Sequence, residues 1–355
     1  MAPNEIAERR LFYQQMIATA LQSPAELVAW FGAMQAQEYA LSKWSLGLRL
    51  RHLTEASVEK SFADGHLLRI HLLRPTWHFV AAQDIRWLLR LTAPRVHAAN
   101  AFMYRKLGLD AALFRRCNGL LADMLRGGRY LTRNAVNEVF RKHGIEAEGN
   151  RLAYIMMQAE LDGLICSGPR KGKQLTYALL DERVPAGQDL GRDEAMSKLA
   201  LRYFSSRGPA TIKDFSAWSG LTIADCRTGA NLAGDALSQE KIAGEVYFFP
   251  VHLPAMRAPE PEAHLLPVYD EYIMGYKDRS AILQRIGHTQ PELKLPFFNT
   301  IVYDGQVIGS WKRVERPKSI GLEYDFLLQP GPEQLNAFEM AAQRFGAFHG
   351  VSAHY

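Results

Sequence analysis

One supersecondary pattern, a short helix, a turn, a second helix and two β-like runs, recurs along this chain and constrains its fold more than any other feature. The clearest copy starts after Gly127-Gly128. LTRNAVNEVFRKHG (131–144) reads as a helix-turn unit, and NRLAYIMMQAELDG (150–163) as an amphipathic helix stopped by Gly163. LICS, the turn GPRKGKQ and LTYALLD then form a hairpin whose tip carries Arg170, Lys171 and Lys173. Helix, turn, helix and hairpin is the outline of a winged helix-turn-helix, a unit that serves DNA binding and also protein contacts.

A later copy runs through DEAMSKLALRYFSSRG, GPATIKDFSAWSG, a helix capped by Thr222, and strands in EKIAGEVYFFP. An earlier one opens with SPAELVAWFGAM. Ser23, Pro24 and Glu26 give a capping box with proline in the first turn, and Leu27, Trp30, Phe31 and Met34 fall on one helical face. A second helix from near Thr54 to Gly65 precedes the run HLLRIHLLRPTWHFV (66–80), broken at Arg74-Pro75. Recurrence of one unit implies a tandem array. The tail adds a hairpin at IVYDGQVIGSW, turned at Asp304-Gly305, and a helix from about Pro332 to Gly350. The expected fold is α+β and helix-rich: tandem winged helix-turn-helix units with a C-terminal β-containing portion. Residues 1–125, 126–185 and 186–355 are the expected units.

Charge is uneven along this array. Residues 51–150 hold 16 Lys and Arg against nine Asp and Glu, whereas the rest of the chain holds 26 against 28. A concentrated basic block suits a polyanion, although a solvated face with no partner reads the same way. Cys117, Cys166 and Cys226 are too scattered for zinc or a disulfide framework, which fits a reducing cytoplasm. The N-terminus is charged, and no stretch has the roughly 18–20 apolar residues of a membrane span. HExxH, GxGxxG, GxxxxGK[ST] and GxSxG are all missing, so no metal or cofactor is expected.

Three stretches remain that patterning does not explain. MQAQEYA (34–40) places Gln35 and Gln37 one residue apart. On a continuous helix their side chains diverge by about 200°, so they reach one target only if the helix ends there. Otherwise they are polar punctuation. In LLRPTWHFV (72–80), strand alternation puts Thr76 and His78 on one face beside Arg74, with Trp77 and Phe79 on the other. That face could meet phosphate or a base edge, or could be a structural strand. LLPVYDEYIMGYKDR (265–279) is dense in acidic and aromatic residues; Tyr269, Asp270 and Tyr272 could wall a site, or the segment could dock one domain on another.

Together with FSAWSGL, and with LRPTWHFVAAQDIRWLLRLTAPRV extending the second stretch, these motifs resemble the winged-helix DNA-binding proteins of the AlkZ-like DNA glycosylase superfamily. The resemblance runs from about residue 8 to the C-terminal helix. It implies three winged-helix units around a DNA-sized cleft and excision of alkylated purines, notably N7-alkylguanine, with bulky or crosslinked adducts in some members. The family's Gln-x-Gln motif matches Gln35, Ala36 and Gln37. Where some members have Gly-Thr-Leu-His, this chain has Arg74-Pro75-Thr76-Trp77-His78, a departure that bears on lesion preference.

An unreactive amide suits that chemistry. N7 alkylation makes the purine cationic and already a good leaving group, so the remaining task is to hold a water against the sugar as it gains oxocarbenium character. Gln37 is expected to position the water, with Gln35 sharing it or holding the sugar-phosphate. Arg69, Arg74, Thr76, Trp77, His78 and Arg95 are expected DNA contacts, with Arg170, Lys171 and Lys173 at the wing. The expectation is a cytoplasmic, nucleoid-associated, cofactor-free monomer acting on alkylated duplex DNA. The rival is a non-catalytic winged-helix DNA-binding protein or transcriptional regulator, which would need a dimer for which no coiled-coil heptad is visible.

Overall fold

The computed structural model describes residues 3–187, 189–251, 261–286, 297–316 and 319–355. The expected element order appears three times. In the second copy, helix Ala111–Leu125 leads to strand Leu131–Thr132, helices Arg133–Lys142 and Gly149–Leu161, and hairpin Ile165–Lys171/Gln174–Leu179. The short strand pairs with the hairpin's second strand, closing a three-stranded sheet. The later copy runs Arg192–Arg207, Ile212–Ser219, Ile223–Ala233 and the hairpin Leu237–Ile242/Glu245–Pro250. There a single bridge, Ala210 to Phe248, replaces the short strand.

The first copy differs from expectation in two places. Helix Pro24–Phe31 has its capping box at Ser23, but it stops before Met34, because Gly32 takes φ 78°. That left-handed backbone is inexpensive only for glycine. Met34 belongs to a two-residue strand, Met34–Gln35. Helix Tyr39–Arg49 then enters before Glu55–Ala63. Its buried surface is partly polar: Lys43, Ser45 and Arg49 are buried along with Trp44, Leu46 and Leu48. The hairpin Leu67–Leu72/Thr76–Ala81 completes this copy, with sheet order short strand, second hairpin strand, first hairpin strand.

Helix Ile85–Lys106 links the first copy to the second. The tail is a five-stranded sheet, antiparallel except for its last strand, Ser352–His354, with helix Pro332–Phe348 packed on it. Its central hairpin turns at Asp304-Gly305, both at positive φ, as a tight hairpin turn requires.

The cores do not follow the repeats. Helices of the first copy share a core with the tail sheet and helix through Phe31, Trp44, Trp311 and Phe345. The first hairpin shares another with the third copy through Leu68, Ile70, Phe204 and Trp218. The second copy has its own core around Cys117, Phe140 and Ile155. The loop between helix Pro24–Phe31 and helix Tyr39–Arg49 therefore lies where the first copy, the third copy and the tail meet. That loop contains the two glutamines.

Candidate active site

Because the helix ends at Gly32, residues 34–37 run extended beside the first hairpin. Met34 lies opposite Phe79 and Gln35 opposite His78, and the Ala36 amide continues the ladder to the Trp77 carbonyl at 2.8 Å. Two-residue alternation puts Gln35 and Gln37 on one face, the condition a continuous helix could not meet.

Both side chains are held. The Trp77 amide donates to Gln37 Oε1 at 2.9 Å, and Arg74 Nη2 donates to Gln35 Oε1 at 3.1 Å. With a donor fixed on each carbonyl, the orientation of each carboxamide is set. Each oxygen keeps a second lone pair, and among the described residues neither NH2 group has a partner. Gln35 is 5% exposed, and Gln37 is half-buried.

The backbone is clamped from both sides. Arg69 donates from Nε to the Ala36 carbonyl (2.8 Å) and from Nη2 to the Gln37 carbonyl (3.1 Å). On the other side Glu271 Oε1 accepts from the Gln35 amide at 2.7 Å. Glu271 Oε2 is gripped by Arg207 (Nε 3.0 Å, Nη2 2.7 Å) and by Trp218 Nε1 (3.0 Å). Arg207 also donates to the carbonyls of Phe31 and Ala33, both at 2.9 Å, on either side of Gly32. A buried ion pair thus fixes the loop that delivers Gln35. Sequence reading missed this pair: Glu271 and Trp218 lie inside segments it singled out, but Arg207 is 64 residues from its partner.

Arg69, Arg74, Thr76, Trp77 and His78 are gathered around the glutamines, facing inward more than outward. Arg69 is 6% exposed, and burial lowers its guanidinium to about 10, still cationic at neutral pH. Arg74 sends Nη1 to the Ala217 carbonyl (3.1 Å), and burial lowers its pKa also. Its turn can approach the third copy because Gly220 lacks a Cβ; a side chain there would sit 2.5 Å from the Leu73 carbonyl. Exposed Arg95 reaches Gly220 O at 3.4 Å, at the rim of this cluster. Lys171 and Lys173 are exposed, whereas Arg170 is paired with Glu59 at 2.7 Å.

A cleft of about 440 Å³ separates the first hairpin from the second copy, lined among others by Arg69, Trp77, Arg133, Glu160, Lys173 and Tyr177. It abuts the glutamine strand through Arg69 and Trp77. Asp270 and Tyr272 are not in its wall. Asp270 is fully buried on Arg49, accepting at 2.8 and 2.9 Å, and on Ser45 Oγ at 2.7 Å. Burial alone would raise its pKa, but Arg49 holds it below the usual carboxylate range. The Tyr272 hydroxyl donates to the carbonyls of Ala7 (3.2 Å) and Gly305 (3.0 Å). These two residues dock the N-terminal helices on the tail. Tyr269 alone keeps partial exposure, at φ 64° and edge-on to Phe297. Among the described residues no cluster of three His, Cys, Asp or Glu could hold a metal ion, and no helix is long and apolar enough to cross a membrane.

Comparison with known proteins bears on the family and the fold. The family model described as DNA glycosylase AlkZ-like matches residues 28–348. An interstrand DNA cross-link repair glycosylase of Streptomyces sahachiroi is 24% identical over 358 residues, covering 93% of this chain and 92% of its own. The solved structure of the Streptomyces sahachiroi DNA glycosylase AlkZ superposes with a TM-score of 0.80 at 21% identity, covering 100% of this chain and 99% of that one.

Proposed function

Because this chain belongs to the AlkZ-like DNA glycosylase family, we propose that it hydrolyses the N-glycosidic bond of N7-alkylated purines in duplex DNA, using water positioned by Gln35 and Gln37. The observation that carries this reading is the fixing of both carboxamides on one face by Trp77 N–H and Arg74. A preset hydrogen-bonding group needs no reorganisation as charge develops, which is how an amide contributes without exchanging a proton. The lesion supplies the rest. An N7-alkylguanine already bears a positive charge, so its departure as a neutral base needs no acid.

Around this pair the charge is arranged for a polyanion. Exposed Lys173 lines the cleft across from the first hairpin, Lys171 is exposed at the same tip, and exposed Arg95 lies beside Gly220 at the rim of the glutamine cluster. Phosphates engaged there would carry the strand past the glutamines. We read the chain as acting as a monomer on duplex DNA.

The test is release of free base from duplex DNA carrying 7-methylguanine, with abasic sites revealed by alkali. Wild type should release 7-methylguanine under single turnover. Gln37→Ala should be slower by about 10²-fold, the usual scale for losing one preorganised hydrogen-bonding group. No release by the wild type, or equal rates, would sink the reading.

A further inference from the structure

The turn and strand from Arg74 to His78 carry three buried polar atoms that have no hydrogen-bond partner among the described residues: Arg74 Nε, Thr76 Oγ1 and His78 Nε2. Such atoms are uncommon in native interiors, since each forgoes a hydrogen bond it would make in water. Three within five residues call for a common cause, and their placement supplies one. His78 lies opposite Gln35, alternation puts Thr76 on the same face, and Arg74 already touches Gln35. The three atoms belong to the shell of the glutamine pair.

Their hydrogen-bonding characters differ. Arg74 Nε–H is a donor. His78 Nδ1 lies 3.0 Å from the Thr76 carbonyl, which can only accept, so the ring proton is on Nδ1 and Nε2 is a bare lone pair. Burial foremost, then the Arg74 charge, pushes the His78 pKa down to about 3, so the ring is neutral at physiological pH. The Thr76 hydroxyl can donate or accept. One donor, one acceptor and one hydroxyl beside a carboxamide are the partners a single water satisfies.

We propose that Arg74 Nε, Thr76 Oγ1 and His78 Nε2 seat the nucleophilic water of this glycosylase. This rests on the proposed function and adds to it the group that accepts from the water. Arg74 Nε–H donates to the water oxygen. The water donates one hydrogen to His78 Nε2 and the other to the Thr76 hydroxyl or to the carbonyl of Gln35 or Gln37, leaving a lone pair for C1′. As the O–C1′ bond forms, C1′–N9 breaks and its electron pair leaves with the base. The cationic 7-alkylpurine departs neutral, and the surplus proton passes to solvent. His78 acts as a hydrogen-bond acceptor and is too weakly basic to take that proton.

Two measurements test this. In a crystal structure of the protein at a resolution that shows ordered water, a water should lie within hydrogen-bond distance of both His78 Nε2 and Arg74 Nε. A dry pocket overturns the proposal whatever the activity. In single-turnover release of 7-methylguanine, His78→Phe should be slower by roughly 100-fold, with DNA affinity unchanged. His78→Gln, which restores an acceptor, should recover to within about tenfold of wild type. If wild type releases base and folded His78→Phe matches it, the water seat falls while the glycosylase reading stands. If wild type releases none, that reading falls first and takes the nucleophilic role with it.

Discussion

The hairpins of the first and second copies share one design and put it to opposite uses. Both are the last two strands of a three-stranded sheet whose third member is a two-residue strand. In the second copy the hairpin points its lysines at solvent, and its tip, Lys171-Gly172-Lys173, is exposed. In the first copy the basic residues turn inward. Arg69 is spent on the carbonyls of Ala36 and Gln37, and Arg74 on Gln35 and Ala217. The difference comes from what each hairpin packs against. The first is overlaid by the glutamine strand and the third copy, whereas the second packs Ile165 and Tyr177 on the core of its own copy and only Cys166 and Ala178 on the core of the first hairpin. An arginine surrounded by backbone carbonyls becomes a clamp; a lysine in solvent remains a charge available to phosphate. In this DNA glycosylase the repeated unit thus yields one wing for geometry and one for charge.

The largest expected effect is at the anchor of the inward wing. Glu271→Ala leaves Arg207 buried without its carboxylate and should cost about 3–5 kcal/mol in denaturant unfolding. The loss should be local as well as global. Hydrogen exchange should rise in residues 34–37 and 76–81 before it rises in 165–179. Equal loss of protection in both hairpins would mean that the wings are not held independently, and the contrast would break.

A smaller pair of effects should dissociate the two roles. Arg74→Lys loses the fork that reaches Gln35 and Ala217 together and should slow base release by about 10–100-fold with an unchanged salt slope. Lys171→Gln with Lys173→Gln should lower the slope of log affinity against log salt by up to about 1.8 (roughly 0.9 per phosphate lost) while single-turnover release at saturating protein stays the same. The reverse assignment, with Arg74 setting the salt slope, would restore the phosphate contact expected from sequence.

That reversal shows what a sequence can and cannot carry here. The wings, the capping residues and the Asp304-Gly305 turn were legible because glycine, proline and capping residues act locally, although the first helix stops three residues short of the Met34 read into it. The glutamine pair was legible with a stated condition, that the helix stop near Gln35, and Gly32 meets it. Helix Tyr39–Arg49 was hidden because its buried Lys43, Ser45 and Arg49 are paired with residues elsewhere in the chain, Glu55 and Asp270. The direction of Arg69 and Arg74 was also hidden, since an arginine reads the same whether it faces phosphate or carbonyl. Glu271 stood in a segment marked for its charge density, but its partner lay in another repeat. Long-range pairing of single charges leaves no periodic trace.

The smallest effect concerns how the first copy is tied down from the tail, through the helix that also receives Arg170 of the second wing at Glu59. Glu55, at the start of helix Glu55–Ala63, is bound by His349 at 2.8 Å and by Lys43, so it joins this helix to the end of the tail helix. The His349 hydrogen bond, followed by those of Lys43, outweighs partial burial and lowers the Glu55 pKa to about 2. A carboxylate whose folded pKa lies below its unfolded value stabilises the fold fully above the unfolded value. That stabilisation is lost as pH falls from the ordinary glutamate range, about 4.3, toward the folded value. Wild-type thermal stability should therefore decline between about pH 5 and pH 2.5 more steeply than that of Glu55→Gln, which has no proton to gain. Because Glu55 is about one-third exposed, solvent screening keeps the difference modest. Parallel melting curves for the two proteins across that window would remove Glu55 as a restraint and leave the first wing held by Glu271 and Arg207 alone.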